Sequence, residues 1–409
     1  MNELHQALQR ATEHLPAPHL AQRALASAHR TRLRRAAVGA LAAVVVLGGG
    51  VTWAVQDRVP RADVVDTAPP NPTATATPSL PDTDPATQPI WDPFTVVDAP
   101  RVASVLPARV DPPPDPPGLS TQPLPDVALA WPEEGVDLRV LGTNGEWRRV
   151  EGTAHAIRGT FYDVVVPVIT PEGDRVAMST DAGVLVVDVT TGAQQVLPWP
   201  PELVGPFDGR PRLLWLPDDE GFLVLHFEQP WLMDFDGGAR PAPYGGRHSS
   251  GLMVDPDTGT VRERRWPNGT IRTWDGDEVA STVRIAGYGE RFVTRFSRVA
   301  YVGNPGPNRG VMKSGPVVVD LADARIAAFA PIRDPDGVYS DNVNLTPLGF
   351  LDETTVVLLV SPMDYRTMGV DDGETHLATW DSATGDFGLL ATGDSRMRTV
   401  AVAPDLLLD

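Results

Sequence analysis

The chain has 409 residues, a formal net charge of −19 and no cysteine. Without cysteine there is no disulfide scaffold, thiolate zinc site, cysteine nucleophile or lipid attached to an N-terminal cysteine. The negative charge excludes a generally basic surface for nucleic acid, and the 42 prolines, roughly twice ordinary usage, indicate that part of the chain is not globular.

Residues 1–35 form a predicted cytoplasmic tail that is rich in arginine. The net charge of this tail is positive. Its charged residues are Arg10, Arg23, Arg30, Arg32, Arg34 and Arg35, against Glu3 and Glu13. Apolar residues at helical spacing from Leu4 to Leu15 predict a short amphipathic helix that ends before Pro16. Two interpretations are open: the helix docks a cytoplasmic partner such as a sigma factor, or it lies on the membrane surface and only sets the topology. We favour the second because so short a segment is small for a partner-binding domain.

Residues 36–55 read AAVGALAAVVVLGGGVTWAV, twenty residues without a charge. At about 1.5 Å per residue, a helix of this length matches the hydrocarbon core of a bilayer. The arginines on its N-terminal side predict that this side stays in the cytoplasm, so the chain after Val55 is expected outside the cell. The alternative, a cleaved signal peptide, would have an unusually long basic region and lacks an Ala-x-Ala cleavage site at the right place. We therefore predict a single-pass cell-membrane protein with an extracellular C-terminal domain.

Residues 56–125 are predicted to be a disordered, proline-rich extracytoplasmic linker. Stretches such as TAPPNPTATATPSLPDTDPATQP and DPPPDPPG prevent both helix and sheet, and favour an extended, partly polyproline spacer. Four apolar residues interrupt this pattern, and we expect them to dock on the domain that follows. They are Trp91, Phe94, Val96 and Val97.

Residues 126–409 show short strands separated by turn residues, with almost no helical periodicity. The clearest unit, residues 166–197, reads VPVITPEGDRVAMSTDAGVLVVDVTTGAQQVL and predicts four antiparallel strands joined by tight turns. Similar turns recur at intervals in the forties, a period typical of a propeller or an array. We predict an all-β fold, a six- or seven-bladed β-propeller.

The two ends of this region are expected to close the ring. The first unit, around residues 127–131, lacks an innermost strand, and the chain ends with one extra, RTVAVAP. Pairing the last strand with the first blade would remove free sheet edges, which otherwise invite aggregation.

The motif TPEGDRVA followed by GVLVVDVTTG resembles the blade motif of WD40-like and TolB-like propellers. With its arginine-rich tail, single span and Pro/Thr linker, the whole chain resembles membrane-anchored WD40-like proteins of high-GC Gram-positive bacteria. The motif matches well over one blade and fairly over two others, and the Gly-His…Trp-Asp signature of true WD40 repeats is absent, so only the architecture carries over. The resemblance implies a scaffold or binding module, occasionally a sensor coupled to an anti-sigma system, and rarely a defined reaction.

The sequence contains no His-Glu-x-x-His, Gly-x-Ser-x-Gly, Walker or dinucleotide-binding motif. We therefore expect a protein that is not an enzyme, with no cofactor. Asp255 and Asp257 resemble the start of a calcium loop, but the other ligands of such a loop are missing. Tight hairpin turns need the same residues, and we favour that role.

The longest polar insertion within a predicted hairpin is a candidate binding loop on one face of the propeller. Its candidate residues are Asp364, Tyr365, Arg366, Asp371, Asp372, Glu374 and His376. The same composition is also that of a solvated acidic loop, which we favour slightly.

The sequence as a whole predicts a propeller that binds an extracytoplasmic protein, a peptide or a cell-wall ligand. One alternative is a transmembrane regulator whose residues 1–35 bind a cytoplasmic factor while the propeller senses. Another is an exported hydrolase or lyase, which would need clustered histidine, acidic and arginine side chains in the central funnel.

Overall fold

A computed structural model of the protein describes most of the chain from Pro89 onward. The described ranges are 89–157, 166–203, 211–217, 220–225, 229–245, 251–265, 269–284, 288–304, 314–332, 345–361, 373–394, 396–397 and 399–408. The predicted tail, the predicted span at 36–55 and the first part of the predicted linker lie outside these ranges. Within them, no helix is long and apolar enough to cross a membrane.

The described strands form six antiparallel sheets of four strands each. Blade 1 contains β1 (Leu129–Trp131), β2 (Leu138–Leu141), β3 (Trp147–Val150) and β24 (Ala401–Val402). Blade 2 contains β4 (Val168–Ile169), β5 (Arg175–Ser179), β6 (Gly183–Asp188) and β7 (Gln194–Pro198). Blade 3 contains β8 (Arg212–Leu216), β9 (Gly221–Leu225), β10 (Trp231–Met233) and β11 (Ala239–Pro241).

The remaining three blades follow in chain order. Blade 4 contains β12 (Leu252–Val254), β13 (Val261–Arg265), β14 (Thr270–Asp275) and β15 (Glu278–Arg284). Blade 5 contains β16 (Tyr288–Arg295), β17 (Arg298–Asn304), β18 (Gly315–Asp320) and β19 (Arg325–Phe329). Blade 6 contains β20 (Leu345–Phe350), β21 (Thr355–Val360), β22 (Thr375–Asp381) and β23 (Phe387–Gly393). Short 3-10 helices cover Pro93–Asp98, Pro201–Leu203 and Pro404–Leu406.

The innermost strands close the six sheets into a ring. These strands are β24, β4, β8, β12, β16 and β20, and each contacts the next, with β20 contacting β24. The fold is therefore a β-propeller. The sequence predicted six or seven blades, and the described strands form six. The unit at residues 166–197 is confirmed as one blade, since it contains β4 to β7 in the predicted order.

The predicted closure of the ring is also confirmed. The C-terminal strand β24 pairs antiparallel with β1, with Val402 opposite Leu129 and Ala401 opposite Ala130. The N–H of Ala403 then donates to the carbonyl of Ala128 at 3.0 Å. The innermost strand of blade 1 thus comes from the opposite end of the domain.

Apolar side chains fill the space between every pair of neighbouring blades, in six separate clusters. The second strand of blade 6, Thr355–Val360, shows why the sequence folds this way. Its residues from Val356 to Val360 are all buried, because alternate side chains face blade 5 and blade 1. Central strands therefore read as continuous apolar runs rather than as alternating ones.

In blades 2 to 6 the hairpins joining the first to the second strand and the third to the fourth lie at one end of the sheet. We call this end of the propeller the turn face. Aspartates recur there as turn residues: Asp188 accepts hydrogen bonds from the backbone N–H groups of Thr190 and Thr191 at 2.9 and 3.0 Å. Asp381 and Asp320 occupy equivalent positions, which explains the periodic turn signal in the sequence.

The expected free linker over residues 56–125 differs from the structure in its described part. Residues 89–125, here called the belt, lie along the outer edges of blades 5, 6 and 1. Backbone hydrogen bonds attach it to Pro331, to Leu389 and Thr392 of β23, and to Arg149 of β3, at 2.9 to 3.0 Å. Proline removes donors from the belt, yet a few isolated N–H groups suffice for these single bridges.

Apolar side chains of the belt enter the cores between the blades. Trp91 stacks on Phe387 of β23 with ring centroids 3.9 Å apart, and Val96 is 1% exposed. The expectation that these two residues dock is therefore confirmed, whereas Val97 is 48% exposed and does not. Phe94 lies in the 3-10 helix Pro93–Asp98 between them.

Candidate binding groove between blades 3 and 4

A groove of about 690 Å³ opens on the turn face between blades 3 and 4. Its volume lies within the range of roughly 300–1,000 Å³ that is typical of ligand sites. Four hairpin turns surround it, two from each blade. Its polar and aromatic lining residues are Glu220, Asp234, Arg240, Tyr244, Thr258, Thr260, Trp274 and Asp275.

Local sequence rules shape the turns around the groove. Asp255 begins one turn, where its Oδ1 atom accepts hydrogen bonds from the N–H groups of Asp257 and Thr258 at 3.1 and 3.3 Å. Asp234 begins another, and its Oδ1 atom accepts from the N–H of Gly238 at 2.6 Å. Such side-chain-to-backbone bonds fix tight turns without help from the core, so the rim of the groove is held by the turns themselves.

Two aromatic rings form the floor of the groove. Tyr244, which follows β11, packs edge-to-face against Trp274 at the end of β14, with ring centroids 5.5 Å apart and an interplanar angle of 66°. The indole N–H of Trp274 donates to Glu263 at 3.2 Å, which fixes the orientation of the ring. Tyr244 is 8% exposed and Trp274 is half-buried, so both rings are held by blade packing and still reach the groove.

Negative charge predominates at the groove. Glu220, Asp234 and Asp275 line it, against a single lining arginine, Arg240. Asp277 lies next to it in the β14–β15 turn. Among the described residues, none forms an ion pair with Glu220, Asp275 or Asp277.

The charged residues around the groove affect the pKa of the Tyr244 hydroxyl. Burial raises its pKa, Arg240 opposes that effect, and Asp277 and Glu220 raise the pKa further. The phenol therefore stays protonated at neutral pH and can donate or accept a hydrogen bond. No described residue is hydrogen-bonded to it, which leaves it available to a ligand.

Asp255 and Asp257, the weak calcium candidates, both contact arginines. Asp255 is 2% exposed, and its Oδ2 atom accepts from Arg262 at 2.9 Å. Asp257 accepts from Nε and Nη2 of Arg295 at 2.8 and 2.7 Å. The described ranges contain no group of three or more histidine or acidic side chains that could hold a metal ion.

Arg295 joins several blades at the inner end of the turn face. Besides Asp257 of blade 4, it pairs with Asp405, which follows β24 of blade 1. It also donates to the carbonyl of Phe350 in blade 6 at 3.3 Å. Hydrogen bonding to Asp257, then to Asp405, raises its pKa against the opposing effect of burial, so the guanidinium is always charged. We call this group the Arg295 clamp.

The candidate binding loop is described only at its C-terminal end. Asp364, Tyr365, Arg366, Asp371 and Asp372 lie outside the described residues.

Glu374 and His376 are described, and both contact neighbouring segments of the domain. Glu374 pairs with Arg109 of the belt. His376 is 7% exposed, and its Nδ1 atom lies 3.1 Å from the hydroxyl of Thr392. The binding role of the loop stays a prediction, while these two residues connect β22 to the belt and to β23.

Sequence reasoning did not identify the residues of the groove. Tyr244 and Trp274 lie in different blades, 30 positions apart in the chain, and only blade packing brings them together. Glu220 and Asp275 belong to turn segments whose acidic composition is shared by most turns on this face. The sequence does contain one usable signal. An aromatic residue, Tyr244, follows the last strand of one blade, and a tryptophan, Trp274, stands just before an Asp-Gly turn in the next blade.

Comparison with known proteins does not show a family for this chain. No protein-family model matches the sequence, and a search of curated proteins finds no match. Among solved structures, TolB from Acinetobacter baumannii matches with a TM-score of 0.43 and 15% identity, over 67% of this chain and 65% of TolB. The match thus spans less than two thirds of the TolB chain.

Two further solved structures are similar at the same level. The β-propeller domain of the Trilobed protease from Pyrococcus furiosus matches with a TM-score of 0.38 and 14% identity, over 66% of this chain and 83% of that domain. YCF48 bound to D1 peptide matches with a TM-score of 0.38 and 11% identity, over 67% of this chain and 88% of YCF48. The fold of this chain rests on its own strands and ring closure.

Proposed function

We propose that this protein is a membrane-anchored, exported β-propeller that binds a segment of another polypeptide in the groove between blades 3 and 4. The observation that carries the proposal is the groove itself. An aromatic pair, an unbonded tyrosine hydroxyl and carboxylates without basic partners surround a space of ligand size. Sites of this kind combine apolar surface with a few polar groups that orient the ligand.

The outer strand of blade 3 supports a polypeptide ligand. Ala239 and Arg240 of β11 line the groove, and no strand or isolated bridge among the described residues pairs with the outer edge of β11. An extended chain in the groove can therefore form main-chain hydrogen bonds with this edge while its side chains enter the groove. Pro241 has no N–H to donate, which limits the contact to a short segment.

The rest of the domain suits a rigid support for such a site. Each blade is packed on both faces, the ring is closed by β24, and the Arg295 clamp links blades at the inner end of the turn face. Binding sites are commonly formed by loops held on a rigid scaffold. The membrane anchor and the exported position are supported by the apolar segment at 36–55 and its arginine-rich N-terminal flank.

The absence of cysteine makes the topology directly testable. A single cysteine is introduced either as Ser281→Cys on the exposed edge of β15 or as Ser27→Cys in the tail. In intact cells a membrane-impermeant maleimide is expected to label Cys at 281, whereas Cys at 27 reacts only after permeabilisation. Labelling at 281 that requires permeabilisation would overturn the exported position.

The groove is tested with a displayed library of random heptapeptides selected on the purified full-length chain. We expect enriched peptides whose binding is lost in Trp274→Ala. The matched control is Trp147→Ala, which removes another half-buried tryptophan that packs edge-to-face on a buried ring, Trp131, in blade 1. A library that yields no enriched peptide, or peptides that bind both variants equally, contradicts the proposal.

A further inference from the structure

The groove between blades 3 and 4 differs from the neighbouring blade interfaces in one respect. Between blades 2 and 3, the guanidinium of Arg175 lies over the ring of Phe235, 5.6 Å from its centroid. Between blades 4 and 5, Arg264 lies over Phe292 at 4.5 Å. At the interface between them, Tyr244 and Trp274 have no arginine or lysine over either ring among the described residues.

Carboxylates on the same face show a parallel difference. Asp255 is paired with Arg262, and Asp257 and Asp405 share Arg295. At these three positions the chain neutralises a carboxylate of the turn face with one of its own arginines. Around the groove, Glu220 and Asp275 have no such partner in the part of the chain that the structure describes.

From these two differences we infer that the groove selects a basic side chain, a lysine or arginine of the bound polypeptide, whose cationic head lies on the Tyr244–Trp274 pair near Glu220 and Asp275. This inference rests on the proposed function and names the chemistry of its ligand. A cation over an aromatic face is attracted by the ring quadrupole, most strongly by that of tryptophan. Nearby carboxylates add to that attraction and exclude acidic ligands.

The remaining groups of the groove fit such a ligand. The Tyr244 hydroxyl can accept a hydrogen bond from an ammonium or guanidinium group. Arg240 lines the same groove, so a ligand with several positive charges is expected to place one of them on the aromatic pair and keep the others away from Arg240. A lone small cation would fill little of a groove of about 690 Å³, whereas a peptide side chain carries further contacts with it.

The test measures the affinity of the full-length chain for three peptides of equal length, Ac-GKAKAKG-NH2, Ac-GQAQAQG-NH2 and Ac-GEAEAEG-NH2, by calorimetry at low salt. We expect the basic peptide to bind at least about tenfold more tightly than the neutral one and the acidic one to bind most weakly. Added salt should reduce this preference, because it screens exposed charges.

Variants assign the preference to the groove. Glu220→Gln with Asp275→Asn is expected to remove the preference for the basic peptide, and Trp274→Leu to weaken all binding. The matched control, Glu134→Gln with Glu202→Gln, removes two exposed carboxylates from other blades and should change affinity less than about twofold. Thermal unfolding of each variant checks that its fold is retained.

The outcomes separate this inference from the proposed function. If the neutral peptide binds as tightly as the basic one, and Trp274→Leu abolishes binding, the groove is a peptide site and the inference is wrong. If spermidine binds as tightly as the basic peptide, the ligand is a small cation and the inference is wrong as well. If no peptide of any charge binds, the proposed function fails and the inference fails with it.

Discussion

The two halves of the ring protect their outer sheet edges in different ways. Around blades 5, 6 and 1 the belt covers the edges and inserts side chains into three cores, those between blades 5 and 6, 6 and 1, and 1 and 2. The inserted residues are Trp91 and Val96, then Leu106 and Val110, then Leu119 and Leu124. The cores between blades 2 and 3, 3 and 4, and 4 and 5 contain no belt residue within the described ranges.

The uncovered half uses local devices instead. β7 ends at Pro198 and β11 at Pro241, and because proline offers no N–H, another chain can pair with these edges only over a short stretch. The β14–β15 pair shifts its register between Thr273 and Trp274, and such bulges twist an edge away from pairing. Edges protected in this way stay open to solvent. Because the belt does not cover the outer edges of blades 2 to 4, the groove between blades 3 and 4 is accessible to a ligand.

The largest effect is expected from removing the strand that closes the belted half. Deletion of residues 397–409 removes β24, the Asp405 contact of the Arg295 clamp and two fully buried side chains, Met397 and Leu407. We expect the cooperative unfolding transition to be lost. Circular dichroism as a function of urea concentration measures this transition. Deletion of only 408–409, which removes the exposed Leu408, is the control and should keep the fold. A cooperative transition in the longer deletion would show that the ring closes without β24.

Two equally buried leucines, one in the belt and one outside it, test whether the belt acts as a separate unit. Leu106 in the belt and Leu197 in β7 are each 2% exposed, so either leucine-to-alanine change should cost about 2–5 kcal/mol of stability. Only Leu106→Ala is expected to speed amide exchange at Leu389 and Thr392, whose N–H groups donate to the belt. Hydrogen exchange with mass spectrometry distinguishes the variants. The same exchange pattern in both would mean that the belt does not act as a unit.

Two turn glycines compare a position that contacts the belt with one that does not. Gly192 and Gly276 both have positive φ, 72° and 56°, so alanine at either should cost about 1–2 kcal/mol. At Gly192 a Cβ would also lie 2.6 Å from the carbonyl oxygen of Leu119 in the belt, whereas at Gly276 it would meet nothing within 4 Å. We expect Gly192→Ala to cost about 1–3 kcal/mol more than Gly276→Ala in urea unfolding. Equal costs would show that the belt is not fixed against blade 2.

The smallest expected effect is a pH dependence in the belted half. Burial lowers the pKa of His376, Glu374 opposes this, and Arg109 of the belt lowers it further. Below its ordinary value of 6.5 the unfolded histidine binds a proton that the folded one does not, so stability falls as the pH drops from there. His376→Gln should lose less stability than the parent between pH 7.5 and pH 5.5, as measured by urea midpoints. Identical losses would exclude this contribution.

Sequence patterns predicted the parts of the fold that repeat. The Val184–Val189 run and its flanking turns indicated blade 2, and the extra C-terminal strand indicated how the ring closes, because each depends on local turn chemistry and strand period. The number of blades stayed open because blades 3 and 4 match the blade motif poorly and contain strands of only three residues, namely β10, β11 and β12. Such short strands have no periodicity to detect.

Beyond the docking of Trp91 and Val96, the path of the belt and the groove could not be predicted from sequence patterns, for a common reason. In the belt, Leu106, Leu119 and their neighbours are separated by prolines, and their contacts with the blades have no signature in composition. In the groove, Tyr244 meets Trp274 only through the packing of two blades. Both features depend on tertiary contacts between segments that carry no pattern of their own.

The belt also determines where mechanical load enters the domain. Tension on the chain upstream of Pro89 reaches the fold first at Trp91, through its stacking on Phe387 and its hydrogen bond to Pro331. The bridges at blades 5, 6 and 1 follow one another along the belt, so we expect a steady pull to detach them in succession before it reaches β1. Because the groove lies in the half without the belt, we expect it to keep its shape until the belt has detached.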